Sequence, residues 1–181
     1  ATANPVAAKP AQILVVGDSL SAGYGLSSGE GWVDLLTKKL AREKIAAQVT
    51  NASISGDTTA GGLARLPALL AKHKPTLVVI KLGGNDGLRG SPVAAAQANL
   101  LKMGELAKAA GARVLVVGMR MPPNFGPTYT AQFEAMYADV AKAYILYRKQ
   151  REKVRNVNST LLNYKDLVDD YLQINDWRVK E

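Results

Sequence analysis

Three short loops hold the residue types that acyl transfer needs: Gly17-Asp18-Ser19-Leu20, Ser55-Gly56-Asp57-Thr58 and Gly83-Gly84-Asn85-Asp86. Hydrolysis of an ester requires a nucleophile, donors for the oxyanion that forms on the carbonyl, and a base to take the nucleophile's proton. Ser19 supplies a hydroxyl, and the Gly56 backbone N–H with the Asn85 side-chain amide supplies donors. The base is the missing piece. The one histidine of the chain, His73, lies in Leu70-Ala-Lys-His-Lys-Pro75, ahead of the strand whose far end reaches Gly83. At about 3.3 Å per residue that strand puts His73 roughly 20 Å from Ser19, whereas a general base works within about 3 Å or through one water. His73 is therefore expected to be a solvent-facing residue at a helix end.

The surrounding pattern explains how the three loops meet. Strands are predicted at 12–17, near 48–52, at 76–82 and at 113–118, alternating with helices near 30–44, over about 60–73, over 93–110 and from about 130. Alternation of this kind, with strands rich in Val, Ile and Leu, predicts an α/β protein whose parallel sheet is covered on both faces, a three-layer α/β/α sandwich. Each loop follows a strand, so all three fall on the carboxyl rim, where open α/β sheets place their chemistry. Gly17-Asp18-Ser19-Leu20-Ser21 lacks the second Gly of a G-x-S-x-G elbow. Gly23-Tyr24-Gly25 opens neither a dinucleotide fingerprint nor a phosphate loop, which argues against nucleotide binding.

Composition narrows the classes further. With 181 residues, 48% of them hydrophobic, one domain is the default, and no apolar run approaches the ~18 residues of a membrane span. The chain has no Cys and a single His, so no metal centre is expected. The net charge of +8 is spread out, with 14 Lys+Arg against 7 Asp+Glu in residues 1–127 and 9 against 8 in residues 128–181. Without a basic cluster and interleaved aromatics, nucleic acid is not an expected partner. The opening Ala1-Thr-Ala-Asn-Pro-Val-Ala-Ala-Lys-Pro-Ala11 is small-residue and Pro-containing, as expected just after a signal-peptidase cut, so a periplasmic or secreted location is expected.

The chain changes character near residue 127: all 16 Gly and all 8 Pro lie at or before Pro127, where average usage predicts about six in the remainder. In the tail, Val154, Val157, Leu161, Tyr164, Val168 and Tyr171 repeat at steps of three and four, and Asn156, Asn158 and Ser159 favour a break, so helix, break, helix is expected. Packing of that stripe on the protein's own sheet is the first expectation and a partner-binding helix the second.

Together the blocks Leu14-Val-Val-Gly-Asp-Ser-Leu-Ser-Ala-Gly-Tyr24, Asn51-Ala-Ser-Ile-Ser-Gly-Asp-Thr58, Gly62-Leu-Ala-Arg-Leu-Pro-Ala-Leu-Leu70 and Leu82-Gly-Gly-Asn-Asp-Gly-Leu-Arg-Gly90 resemble the SGNH, or GDSL, hydrolase superfamily. Within it they resemble the bacterial thioesterase/protease/lysophospholipase (arylesterase) subgroup, over about residues 11–143. The resemblance implies the SGNH hydrolase fold, a flavodoxin-like parallel sheet. It implies Ser19 as nucleophile, with the Ser19 and Gly56 N–H groups and the Asn85 amide as oxyanion hole, and Asp18 and Asp86 as structural residues. The substrate is expected to meet Asp18, Leu20, Asp57 and Gly84 and the segment Met119 to Thr128, with Pro123 and Phe125. Family members hydrolyse small acyl esters, thioesters and lysophospholipids outside the cytoplasm without a cofactor.

The resemblance stops short of the end. The family's Asp-x-x-His block, after a fifth strand and before a last helix, has no counterpart, since Asp166, Asp169, Asp170 and Asp176 have no histidine three residues on. Instead Val140-Ala-Lys-Ala-Tyr-Ile-Leu-Tyr-Arg-Lys-Gln-Arg-Glu-Lys-Val154 and Asn175-Asp-Trp-Arg-Val-Lys-Glu181 resemble the end of the ATP-cone and the start of the core in anaerobic ribonucleotide reductases. The cone's early basic strand is absent, so nucleotide binding does not carry over. A chimera joined near Val140 to Tyr144 is expected: a flexible segment 1–11, a hydrolase domain 12–143, and an atypical all-helical tail 144–181. Three outcomes follow: a hydrolase weakened by the lack of its base, a non-catalytic acyl-chain or lipid binder, or association through the tail in place of a monomer.

Overall fold

Ile13, Leu14, Val15 and Val16 are each 2% exposed or less, the burial expected of a strand with helices against both faces. They form the middle of β1 (Ala11–Gly17), which pairs in parallel with β2 (Ala47–Asn51) on one side and β3 (Leu77–Lys81) on the other. β4 (Arg113–Val116) pairs with β3, giving the order β2-β1-β3-β4 in this computed structural model, which describes residues 9–152. That order is the flavodoxin-like one, with its switch point where β1 stands between β2 and β3.

The connections are α1 (Ser19–Ala22), α2 (Trp32–Arg42), α3 (Thr59–His73), α4 (Gly84–Leu88), α5 (Val93–Ala109), a 3₁₀ turn (Pro123–Phe125) and α6 (Pro127–Glu152). Side chains alternate across the sheet and divide the core in two. Leu14, Val16, Val78 and Ile80 pack with Leu66 of α3, Leu100 and Met103 of α5, and Phe133 and Tyr137 of α6. Ile13, Val15, Leu77 and Val79 face Val33, Leu36 and Leu40 of α2. The three-layer α/β/α sandwich is thus as the sequence predicts.

Differences lie at boundaries and short turns. The helix expected from about 130 begins at Pro127, whose fixed φ and missing N–H suit a first helical position. α1 and α4 are single turns of helix built from Ser, Asp, Asn and Gly, and reading those residues as loop chemistry hid them. His73 ends α3 as expected but is half-buried rather than solvent-facing. The reason is local: Lys74 turns at φ 43 directly into buried Pro75 and β3, which brings the last turn of α3 down onto the sheet. α6 passes through the expected join at Val140 to Tyr144 and continues to Glu152, while the tail stripe from Val154 onward lies outside the described residues. Among the described residues no helix is long and apolar enough to cross a membrane.

Candidate active site

β1 ends at Gly17, and Asp18 then starts α1 as its N-cap. The Asp18 carboxylate accepts the Leu20 N–H at 3.1 Å, and its carbonyl accepts the N–H groups of Ser21 and Ala22 at 3.1 and 2.9 Å. This makes Ser19 the first residue of a helical turn, half-buried on the carboxyl rim, and leaves Asp18 itself buried beneath it. Neither the Ser19 nor the Gly56 backbone N–H donates to a group among the described residues.

The second loop is a tight turn in which the Asp57 N–H donates to the Ile54 carbonyl at 3.1 Å and Gly56 takes φ +79. A Cβ at Gly56 would meet nothing within 4 Å, so glycine is needed there for backbone conformation and the space above it is open. Asp57 is engaged in the protein: its Oδ2 accepts from Arg65 Nε at 2.8 Å and stands in an ion pair 2.8 Å from Arg65 Nη2, and its Oδ1 accepts the Thr58 N–H at 2.9 Å. Arg65 Nη1 also donates to the Ala52 carbonyl. The Asp57 side chain therefore holds the loop, and its carbonyl, rather than its carboxylate, faces the third loop.

That third loop begins at Gly83, with φ +119 and its Cα packed so closely that a Cβ would stand 2.3 Å from the Tyr137 hydroxyl. Asn85 Nδ2 donates to the Asp57 carbonyl at 2.8 Å, which ties the two loops and leaves the second amide hydrogen for the rim. Arg89 Nη2 adds a bond to the Gly56 carbonyl at 3.2 Å. Asp86, buried, accepts the Thr59 N–H at 2.9 Å and the Thr59 hydroxyl at 2.6 Å, and Asn99 Nδ2 donates to that hydroxyl oxygen at 3.0 Å. Asp86 thus straps α4 to α3 and α5. The Tyr137 hydroxyl donates to the Leu82 carbonyl at 2.9 Å. Burial, then the Asp86 and Asp18 carboxylates, push its pKa above the usual 10, so it stays a neutral donor.

Apolar side chains rim the loops, with Leu20 58%, Ile54 53% and Leu88 60% exposed. Gly84 is buried against the expected lining segment, because a Cβ there would stand 2.8 Å from Met119 Sδ and 3.5 Å from Asp18 Oδ2. Pro123 lies in the 3₁₀ turn of that segment. Phe125 is half-buried, its ring 6.2 Å from Tyr129, at the head of an aromatic ladder that continues through Phe133 to Tyr137. The Tyr129 hydroxyl fixes the ladder by donating to the Ser91 carbonyl at 3.0 Å.

Ser19, Gly56 and Asn85 are therefore brought to one rim, with Asp18, Leu20 and Gly84 beside them, while His73 is at the amino end of β3, away from it. Sequence reasoning passed over Lys81, the last residue of β3, and Ser53, just after β2. Their buried Nζ and Oγ atoms have no hydrogen-bond partner among the described residues. The signal for Lys81 was present, an ionisable residue closing the apolar run Leu77-Val-Val-Ile80.

Residues 15–175 match the family model described as GDSL-like lipase/acylhydrolase. Esterase TesA of Pseudomonas aeruginosa is 60% identical over 129 residues, 71% of this chain and 64% of that protein. Thioesterase 1/protease 1/lysophospholipase L1 of Escherichia coli is 46% identical over 132 residues, 73% of this chain and 62% of that protein. The chain thus spans less than two thirds of the length of either relative. The crystal structure of TesA superposes with a TM-score of 0.72 at 48% identity, covering 85% of this chain and 90% of that one.

Proposed function

The chain belongs to the GDSL-like lipase/acylhydrolase family, and we propose that it hydrolyses carboxylic esters and acyl thioesters, lysophospholipids among them, outside the cytoplasm, through Ser19. One observation carries this reading: the Asn85 to Asp57 bond of 2.8 Å holds the second and third loops together on the rim that presents Ser19. In the proposed reaction Ser19 Oγ attacks the acyl carbon, and the carbonyl oxygen becomes an anion held by the Ser19 and Gly56 N–H groups and the Asn85 amide. Collapse expels the alkoxide or thiolate, and water then releases the acid from the acyl-serine. Exposed Leu20, Ile54 and Leu88 offer an acyl chain an apolar bed.

Turnover is expected to be weak. No histidine stands near Ser19, and in serine proteases loss of the base costs on the order of 10⁶ in kcat while oxyanion hole and binding retain ~10³ over water. Comparison of wild type with Ser19→Ala on p-nitrophenyl butyrate tests the reading, with a fall of about 10²-fold expected, or about 2.7 kcal/mol of transition-state stabilisation. Equal rates would remove it. The same apolar rim favours a second reading, an acyl-chain binder without turnover, and fatty-acid binding lost in Leu20→Asp while both hydrolysis rates stay at background would select that one.

A further inference from the structure

We propose that Lys81 is the proton acceptor for Ser19, standing in for the absent histidine. The assignment rests on the reading of Ser19 as nucleophile and adds the group that makes it one. Gly17, two residues before Ser19, pairs with Lys81 across β1 and β3. On its other side the Ile54 N–H donates to the Gly17 carbonyl at 3.0 Å, which carries the β2 register on and sets Ser53 opposite Gly17. Ser53, Gly17 and Lys81 therefore form one row across the sheet immediately below the nucleophile. A Cβ on Gly17 would meet Ser21 Oγ at 2.5 Å and Ser53 Oγ at 3.0 Å, so the polar atoms gather on the side to which that row points.

That side is the correct one for a base. Ile80 and Leu82 face the cluster of α3, α5 and α6, whereas Leu77 and Val79 face α2, and Lys81 continues the second set. Two of the oxyanion donors, the Gly56 N–H and the Asn85 amide, come from the loops that open α3 and α4, on the first face. Lys81 thus approaches from the opposite face, so a proton can leave Ser19 on one side while negative charge forms on the other. With strands ~4.8 Å apart and ~3.3 Å per residue, Ser19 is about 8 Å from Lys81 between backbones, within the span of a four-carbon side chain and a serine hydroxyl.

The chemistry of the amine fits. Its Nζ is closed off from solvent without a hydrogen-bond partner among the described residues, a costly arrangement for a cation. Burial pushes its pKa below the usual 10.5, with Asp18 pulling the other way. The remaining charges on elements packed nearby are occupied or turned to solvent: Asp57 holds Arg65, Lys38 donates to the Gly29 carbonyl, Lys39 pairs with Glu43, and Asp34 is exposed. Arg113 is at the far end of β4, opposite Leu77. Serine with a lysine base is a known form of acyl-transfer chemistry. The neutral amine takes the Ser19 proton as the Oγ–carbon bond forms, then returns it to the departing alkoxide or thiolate. In the second half it takes a proton from the attacking water and restores it to Ser19 as the acid leaves. Contacts of this kind tighten when substrate binds.

The test is kcat/KM for p-nitrophenyl butyrate from about pH 6 to about 10, background subtracted, for wild type, Ser19→Ala, Lys81→Met and Lys81→Arg. Wild type should rise with pH along one ionisation below 10.5, and both Lys81 variants should lose about 10²-fold and that limb. Lys81→Met removes a buried amine and is expected to keep or raise the urea midpoint, so lost activity would not mean lost fold. Titration has its own readout. Between the lowered folded value and 10.5 the unfolded chain binds the extra proton, so wild-type stability rises with pH there, and Lys81→Met lacks that slope. Wild type above Ser19→Ala with Lys81→Met unchanged would overturn the Lys81 assignment alone, and wild type equal to Ser19→Ala at every pH would overturn both.

Discussion

Replacing residues 144–181 by a strand and helix that carry an Asp-x-x-His block raises kcat for p-nitrophenyl butyrate at pH 7 by about 10³-fold or more. The magnitude follows from what the rim already holds. A half-buried serine begins α1, the Ser19 and Gly56 N–H groups have no acceptor among the described residues, and the Asn85 amide is fixed by its bond to Asp57. The family's block would add a histidine base to that rim. An imidazole has an ordinary pKa near 6.5 and is an effective base near neutral pH, whereas the Lys81 amine starts from 10.5 and is lowered by burial. β4 is the edge of the sheet among the described strands, and a fifth strand has its place beside it. A graft that folds and gives no rise would mean that the rim is not set for acyl transfer.

Asp86→Ala costs about 3–5 kcal/mol of folding stability, a large part of the ~5–15 kcal/mol that holds a domain of this kind together. The Asp86 carboxylate is the acceptor for both the N–H and the hydroxyl of Thr59, a residue with no exposed surface. Truncation leaves two buried donors without an acceptor, and Asn99, which donates to the same hydroxyl, cannot replace it. The change also frees α4 from α3, so Asn85 loses its fixed place over Asp57 and turnover falls with stability. Urea unfolding measures the first effect, and a loss below about 1 kcal/mol would show that the Thr59 bonds are not formed in solution.

How much of this was legible follows from which signals are local. β1 and β3 were readable because Val, Ile and Leu fill both faces of a covered parallel strand. The three loops were readable because Gly, Asp and Asn mark the ends of those strands, and placing Ser19, Gly56 and Asn85 together needed only the rule that such ends share a rim. Asp57 was expected at the substrate, yet its partner Arg65 lies two turns along α3, and sequence spacing alone does not say that the guanidinium folds back onto the loop. The segment at Phe125 was expected to line the groove, and its ring also heads a ladder at steps of four, Tyr129, Phe133 and Tyr137, a pattern present in the sequence and unused. The row Ser53, Gly17 and Lys81 was out of reach, since it depends on the register of β1 with both neighbours. His73 could be excluded from the site by strand length, while its half-buried state came from the turn at Lys74.

The most direct measurement is covalent capture of the nucleophile. Incubation with ethyl p-nitrophenyl phosphonate at about pH 9 should form a bond from Ser19 Oγ to phosphorus with release of nitrophenolate. Intact mass and peptide mapping should then find one phosphonyl group per chain, on Ser19, and none in Ser19→Ala. An unmodified wild-type chain, or the same adduct on another residue, would contradict the assignment of Ser19 as the acting nucleophile.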